Sequence, residues 1–275
     1  MTCSVRIACL QTNSGNDFTA NLATLAAMAR EAAAGGAKFV FSGEYALMMD
    51  GSGRSMRDNA QNAAGEPALP ALAALSRELG VWHLVGSLTL MSDDGRMVNR
   101  SILISPEGRV IASYDKIHMF DATLPGGTVI RESSAYRPGE RAVIGETPWG
   151  KLGMTVCYDL RFPQLYRALA QRGATMLAIP SSFQRETGKA HWHVLLRARA
   201  IENAAFVIAP ALCGDHPGKR MTYGHSLVID PWGEVLADGG EEPGVLYADL
   251  NLAQVEKVRG MLPSLAHDRP FSPPT

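Results

Sequence analysis

Three residues in this chain combine reactive chemistry with a place at the carboxyl end of an apolar, β-type run. Glu44 follows KFVFSG, Lys116 follows RVIASYD and Cys157 follows KLGMTV. In α/β architectures reactive groups collect just beyond such strand ends. Cys157 is the sharpest of the three, because a mostly apolar run leads into it and YDLRFPQLYRAL, with the polar Asp159 and Arg161 ahead of a helix, leads out. A strand-to-helix turn of this kind leaves a thiol exposed and close to backbone N–H groups that favour a thiolate. Each residue also has a plainer reading: a core cysteine, a solvated carboxylate, a surface cation. Their joint occurrence at three strand ends weighs against those readings without settling the choice.

The elements that would position them alternate from end to end. Val5–Leu10 reads as a strand, 17–34 as a helix stopped by Gly35-Gly36, and 38–41 as a second strand. Pro67 sits at a helix start ahead of Leu69, Leu72, Leu75 and Leu79, with Gly80 as the stop. Strands over 81–90, 97–105 and 109–113 are joined by the turn signals Asp94-Gly95 and Pro106-Glu107-Gly108. The second half alternates in the same way, with strand 151–156, helix 162–172 closed by Gly173, strand 175–179, helix 190–203, then strands near 205, 227, 235 and 246.

The chain also resembles itself. SILISPEGRVIA at 101–112 matches SLVIDPWGEVLA at 226–237, and GGAKFVFSGE at 35–44 matches RGATMLAIPS at 172–181. Two halves with one grammar suggest two similar sheets packed face to face with helices outside. No low-complexity linker separates them, so residues 1–275 read as a single domain.

Composition narrows the function. Of 275 residues, 46% are hydrophobic and 19% charged, the balance of a globular chain, and 26 basic against 27 acidic residues give a net charge of −1. No polybasic run points to nucleic acid and no basic amphipathic helix to a membrane. Cys3, Cys9, Cys157 and Cys213 have no paired spacing, and the N-terminal stretch lacks the run of a signal peptide. The expectation is a soluble cytoplasmic protein with reduced thiols.

Four longer stretches then decide the reading: YDKIHMF at 114–120, GKLGMTVCYDLRFPQL at 150–165, GKAHWHVLLRARAIEN at 188–203 and YGHSLVIDPWGEVLA at 223–237. Together they resemble the nitrilase superfamily of carbon–nitrogen hydrolases over nearly the whole chain. PSSF at 180–183, HVLLRARAIE at 193–202 and KRMTYGHS at 219–226 resemble its deaminated-glutathione amidase and ω-amidase branch. The resemblance implies a four-layer αββα sandwich and a Glu-Lys-Cys triad at Glu44, Lys116 and Cys157. It implies a second glutamate at Glu132, in RESSAYRPGE, orienting Lys116 or bonding the substrate amide. Where the family has proline before its catalytic glutamate this chain has Gly43, which puts the positioning of Glu44 in question.

Amide hydrolysis suits these parts. Cys157 attacks the carbonyl to give a thioester, Lys116 and the Tyr158 backbone N–H hold the oxyanion, and Glu44 shuttles the proton to leaving ammonia and then activates water. The implied substrate is a small anionic primary amide, such as deaminated glutathione or the ω-amide of a 2-oxo acid. N-carbamoyl amino acids, aliphatic amides and nitriles are the alternatives. Arg161, Ser181, Phe183, His191 and Trp192 are the candidate substrate contacts. No metal or other cofactor is implied, and the family likeness implies a homodimer or larger assembly through 162–172 and 255–275, with a tail over about 262–275 extended onto a neighbour.

Rival chemistries fit less well. His191 and His193 stand two apart, so on a helix they point about 200° away from each other, unlike the i,i+4 pairs of helical zinc sites. Cys213 and His216 lack a carboxylate-rich partner cluster. GHSLV at 224–228 misses the last glycine of a nucleophile elbow, and neither GDHPGKRM at 214–221 nor GSGRSM at 51–56 has phosphate-loop spacing. A binding protein that kept the fold would not need all three triad members.

Overall fold

Ile7 and Cys9 face one side of the first strand and Ala8 and Leu10 the other, and all four are fully buried. A strand with no solvent face belongs inside a layered stack. That is its place in the computed structural model, which describes residues 4–272 and 274 apart from 52, 63, 125 and 126.

The first half runs β1 (Ser4–Gln11), α1 (Phe18–Ala34), β2 (Phe39–Ser42), α2 (Arg54–Asp58), α3 (Ala68–Leu79), β3 (Trp82–Met91), β4 (Met97–Ile104) and β5 (Val110–Asp115). A small hairpin, β6 (Asp121–Thr123) and β7 (Val129–Arg131), leads to β8 (Val143–Thr147) and β9 (Gly150–Met154). Then come α4 (Pro163–Gln171), β10 (Ala174–Ala178), α5 (Arg185–Asn203), β11 (Phe206–Ala209), a second hairpin of β12 (Cys213–His216) and β13 (Arg220–Tyr223), β14 (Leu227–Ile229), β15 (Val235–Asp238), β16 (Gly244–Asn251) and α6 (Ala253–Met261).

Two six-stranded sheets result, ordered β16-β1-β2-β3-β4-β5 and β8-β9-β10-β11-β14-β15. Their pairing is the same: an antiparallel edge strand, three parallel strands, then an antiparallel pair at the far edge. The matched sequence phrases fall on matched elements, 101–112 on β4–β5 and 226–237 on β14–β15, 35–44 on β2 and 172–181 on β10. Ile7, Phe39, Phe41 and Leu84 from one sheet share a buried cluster with Leu152, Met154 and Leu177 from the other. Ala8, Leu10 and Val40 pack instead with Leu25 and Ala29 of α1 and Leu72 of α3. Trp192, Leu196 and Ala200 of α5 close the opposite side. This is the expected four-layer αββα sandwich of two similar halves.

Departures from the sequence reading have local causes. α5 starts at Arg185 rather than at 190, because Gly188 does not break it; a Cβ there would meet the Tyr223 ring at 2.5 Å, so the glycine is required by packing. The short α2, β6–β7, β8 and β12–β13 elements carry too few residues for a periodic signal. Leu165, Tyr166 and Leu169 on α4 are buried core within this one chain rather than an open face. The tail does not extend at once: Ala266 N–H and His267 N–H turn back to the Pro263 carbonyl, and Asp268 accepts from Gln171 of α4. Cys9, Cys157 and Cys213 are free thiols, while Cys3 lies outside the described residues. Among the described residues no helix is long and apolar enough to cross a membrane.

Candidate active site

The carboxyl ends of β2, β5 and β9 converge. Gly43 passes close to the next half: a Cβ there would sit 3.3 Å from the Ala211 and Leu212 backbone, a tight contact. With glycine before it, the Glu44 carboxylate reaches Lys116, Asn99 and Ser182. Lys116 directly follows β5, its N–H donating to the Asn99 carbonyl at 2.9 Å. Cys157 opens a short 3₁₀ turn with φ of 49°, a left-handed conformation that costs a non-glycine residue of order 1 kcal/mol and must be held by its surroundings.

Asp159, fully buried, does the holding. Its carboxylate accepts from Val156 N–H (2.8 Å), Tyr114 Oη (2.7 Å) and His118 N–H (3.0 Å), with His118 Nδ1 2.7 Å away. The Cys157 turn is thereby tied to the segment that carries Lys116. Cys157 N–H itself donates to Pro180 O and Asp159 N–H to Val156 O.

Side chains from both halves then meet in a closed network. Lys116 Nζ donates to Glu44 Oε1 at 3.0 Å and to both Glu132 oxygens at 3.0 and 2.9 Å. Glu44 Oε1 also accepts from Asn99 Nδ2 at 2.9 Å, while Oε2 accepts from Ser182 N–H and Oγ at 2.8 and 2.7 Å. Glu132 accepts from Phe120 N–H (2.6 Å) and Tyr45 Oη (3.1 Å), and Asn99 donates to Tyr45 Oη at 2.8 Å. Cys157 lines the same cavity as Glu44 and Lys116, and its thiol feels the charge of both.

Burial and partners pull the titrations apart. Burial raises the Glu44 pKa, but the Lys116 charge and the Ser182 and Lys116 hydrogen bonds outweigh it and hold the carboxyl at about 2. Burial works against the Lys116 charge too, and Glu132 with Glu44 more than restores it, so the ammonium is held well above its ordinary value. Burial and the Glu44 charge push the Cys157 thiol far up despite Lys116. Cys157 is only 7% exposed. This corrects the expectation of an exposed thiolate: Cys157 is buried, and burial and the Glu44 charge both favour the neutral thiol.

A cavity of about 380 Å³ opens over the network, lined by Glu44, Lys116, Glu132, Cys157, Ser182, Tyr45 and Arg220 among others, with Arg57 and Arg131 also on its wall. Of the expected substrate contacts, Arg161 and Phe183 line a small annex beside Cys157, and Arg161 lies over the Tyr158 and Phe183 rings. The other three need correction. Ser181 is fully buried with its hydroxyl bonded to the Ile179 carbonyl, turned from the cavity; its neighbour Ser182 reaches Glu44 instead. Trp192 is fully buried behind Phe183, its Nε1–H given to the His225 carbonyl. His191 is exposed on α5, with Nδ1 3.3 Å from Arg161 Nη2.

Sequence reading missed the roles of Asn99 and Ser182, while Tyr45 and Arg220 fall in stretches, 45–58 and 219–220, that it favoured for the pocket. Asn99 had a signal, a polar residue inside the apolar run of β4 that is 1% exposed. Arg220 sits on the second small hairpin, donates to the Ser182 carbonyl at 2.7 Å, and its buried Nε has no partner among the described residues. As for rival metal ligands, Cys213 Sγ faces the Thr12 carbonyl and His216 bonds Ser14 O and Thr222 Oγ1.

The depressed Glu44 pKa is a stability statement. A group whose folded pKa lies below its unfolded value of 4.5 contributes stability that is fully present above that value and is lost as pH falls toward about 2. At neutral pH the contribution is on the order of 3 kcal/mol. Urea unfolding at pH 7, 5, 4 and 3 is expected to show a steep loss in wild type below pH 5. Glu44→Gln should be less stable at pH 7 and lose the part of the slope that Glu44 supplies; an unchanged slope contradicts the assignment.

Comparison with known proteins gives the family and the fold. The carbon-nitrogen hydrolase family model matches residues 6–260. A deaminated glutathione amidase of Yersinia enterocolitica is 36% identical over 269 residues, 97% of this chain and 93% of that protein, and the Homo sapiens one is 40% identical over 96% and 82%. The Caenorhabditis elegans NitFhit structure superposes with a TM-score of 0.89 at 35% identity over 97% of this chain, which spans 65% of that longer protein. A mutant of the amidase from Nesterenkonia sp. AN1, showing covalent addition of the acetamide moiety of fluoroacetamide at its active-site cysteine, superposes with 0.80 at 27% identity over 92% of each chain. By this family match and these relatives, the chain belongs to the carbon–nitrogen hydrolase family and is a hydrolase of non-peptide carbon–nitrogen bonds.

Proposed function

We propose that the chain, one hydrolase domain over 1–275, is a cysteine amidase acting on a small anionic amide, with Cys157 as nucleophile, Glu44 as proton shuttle and Lys116 as oxyanion donor. The observation that carries this reading is the buried Glu44–Lys116–Glu132 network lining one cavity together with Cys157. The neutral thiol gives its proton to Glu44 as sulfur bonds to the carbonyl carbon, and the carbonyl electrons move to oxygen beside Lys116 Nζ. Tyr158 N–H, between the two committed amides of its turn, is the second donor we assign. Glu44 returns the proton to the departing nitrogen, leaving a thioester, and then takes a proton from the water that cleaves it. Glu132 holds Lys116 in place through two hydrogen bonds.

The names of the relatives support deaminated glutathione, or the ω-amide of a 2-oxo acid, as the substrate class. One expectation changes with the chemistry of that molecule: deaminated glutathione has only secondary amides, so an amine leaves, and ammonia leaves only from a primary ω-amide. The wall residues Arg57, Arg131 and Arg220 suit the carboxylates of either, better than Arg161, whose guanidinium is stacked on aromatic rings. A nucleophilic thiol of this kind fits a reducing compartment such as the cytoplasm. For the homodimer or larger assembly, the support is an apolar surface of Ile201, Trp232 and Met261, each half exposed or more.

Three outcomes are expected. Wild type turns over deaminated glutathione or a 2-oxo ω-amide, with amine and ammonia both followed, and Cys157→Ser loses about a thousandfold or more; silence on the whole panel, N-carbamoyl acids, simple amides and nitriles included, contradicts the substrate class. Arg220→Gln raises KM for the anionic amide by about tenfold or more, as loss of a charge-assisted hydrogen bond requires. It should leave kcat/KM for a neutral amide near wild type, and equal losses on both would remove the role. Light scattering is expected to give the mass of a dimer or larger and Trp232→Asp a smaller species, whereas a monomeric wild type would refute assembly.

A further inference from the structure

We propose that His193, His225 and Asp238 form a binding site for a divalent transition-metal ion of the zinc class, which clamps α5 to the β14–β15 hairpin. The three come from separate elements: His193 from the exposed side of α5, His225 from the connection between β13 and β14, and Asp238 from the end of β15. Their convergence is thus set by the fold and not by local spacing. One donor atom from each lies within 4.8 Å of the other two. His225 Nδ1 is 2.8 and 3.1 Å from the two Asp238 oxygens, and His193 Nε2 is 3.1 Å from Oδ2. Zinc–ligand bonds of about 2.0–2.1 Å place tetrahedral ligand atoms about 3.3 Å apart, so a small outward shift admits an ion.

The donor set is right for such a metal. Two imidazoles and one carboxylate with an open position for water suit zinc and its neighbours better than calcium or magnesium, which demand oxygen ligands. On binding, each imidazole presents its lone pair and carries its proton on the other ring nitrogen, so both hydrogen bonds to Asp238 are exchanged for metal bonds. The supporting contacts fix the rings. His225 sits at φ of 51°, its N–H donating to Gly240 O at 2.6 Å and its carbonyl accepting from Trp192 Nε1 at 2.7 Å. Its ring stacks on Tyr223 at 4.4 Å, and Asp238 accepts from Gly240 N–H at 2.9 Å. Such outer contacts orient ligands and govern affinity. The side chains are 35%, 19% and 36% exposed, so an ion reaches them from solvent.

The i,i+2 spacing excluded a joint site for His191 and His193, yet it left each free to join residues distant in sequence. The proposed ion lies apart from the reacting thiol: Trp192 and Phe183 stand between the His225 backbone and the annex beside Cys157. Its effect is to brace the helix behind that wall, a role independent of the amidase reading.

The test uses the whole chain, untagged and EDTA-stripped, carrying Cys157→Ala so that the thiol takes no metal. Dialysis against micromolar Zn²⁺ followed by elemental analysis is expected to find one bound equivalent. Co²⁺ should give the visible bands of a four-coordinate nitrogen–oxygen site, and Zn²⁺ should raise Tm. His193→Gln and Asp238→Asn should each weaken binding at least tenfold and remove the Tm rise, while His191→Gln changes neither. No bound equivalent in the starting protein overturns the proposal, as does undiminished binding in His193→Gln with its metal-free Tm retained. In that case the three side chains are a hydrogen-bonded brace alone.

Discussion

An ammonium that is 2% exposed, with one carboxylate 1% exposed on one side and a second on the other, is the constraint that the rest of this structure serves. An unpaired ion at such a depth would be lost to deprotonation or unfolding, since burial penalises charge by several kcal/mol even after relaxation. The network survives because the oxygens of Glu44 and Glu132 accept from Asn99, Ser182, Phe120 and Tyr45 as well as from Lys116. Those donors come from β4, from the loop after β10, from the β6 approach and from the loop after β2. Both halves of the chain must therefore be folded and docked before any one charge is stable, which couples site formation to global folding.

The near repeat supplies that docking geometry. Two sheets of the same strand order, laid face to face, bring the end of β2 toward the end of β10. Glu44 then crosses to the Ser182 of the other half, and the glycine before it lets the backbones approach. Cys157, at the end of β9, meets Lys116, at the end of β5, through Asp159 and its bonds to Tyr114 and His118. Neither half holds a complete site. A symmetric scaffold thus yields an asymmetric centre because the strand ends of the two halves carry different residue types.

What the sequence made legible was whatever repeats or alternates. The apolar runs into Glu44, Lys116 and Cys157 and the two matched phrases are local patterns, and the sheets follow from them. Contacts set by side chains reaching across halves left weaker traces. Ser181 and Ser182 are adjacent and chemically identical, and only the backbone path, with Ser181 N–H committed to Pro210 O, decides which one faces Glu44. Trp192 and His191 lie in a family-like phrase, but on a helix one residue is a 100° turn, enough to bury one and expose the other.

Burial that favours the neutral thiol bears on selectivity under the proposed mechanism. A free thiolate would add another negative charge beside Glu44 and Glu132 with Lys116 as the one ammonium of the network, and burial would penalise it further. Sulfur becomes a strong nucleophile only as its proton passes to Glu44, and that transfer is favourable only when the new negative charge goes elsewhere. An amide carbonyl whose oxygen lies against Lys116 provides the place, because the charge then develops on oxygen next to the ammonium. An electrophile without such an oxygen offers no compensation. Burial that makes the resting thiol unreactive thus ties its activation to a correctly seated carbonyl, and the cavity walls decide which carbonyls seat.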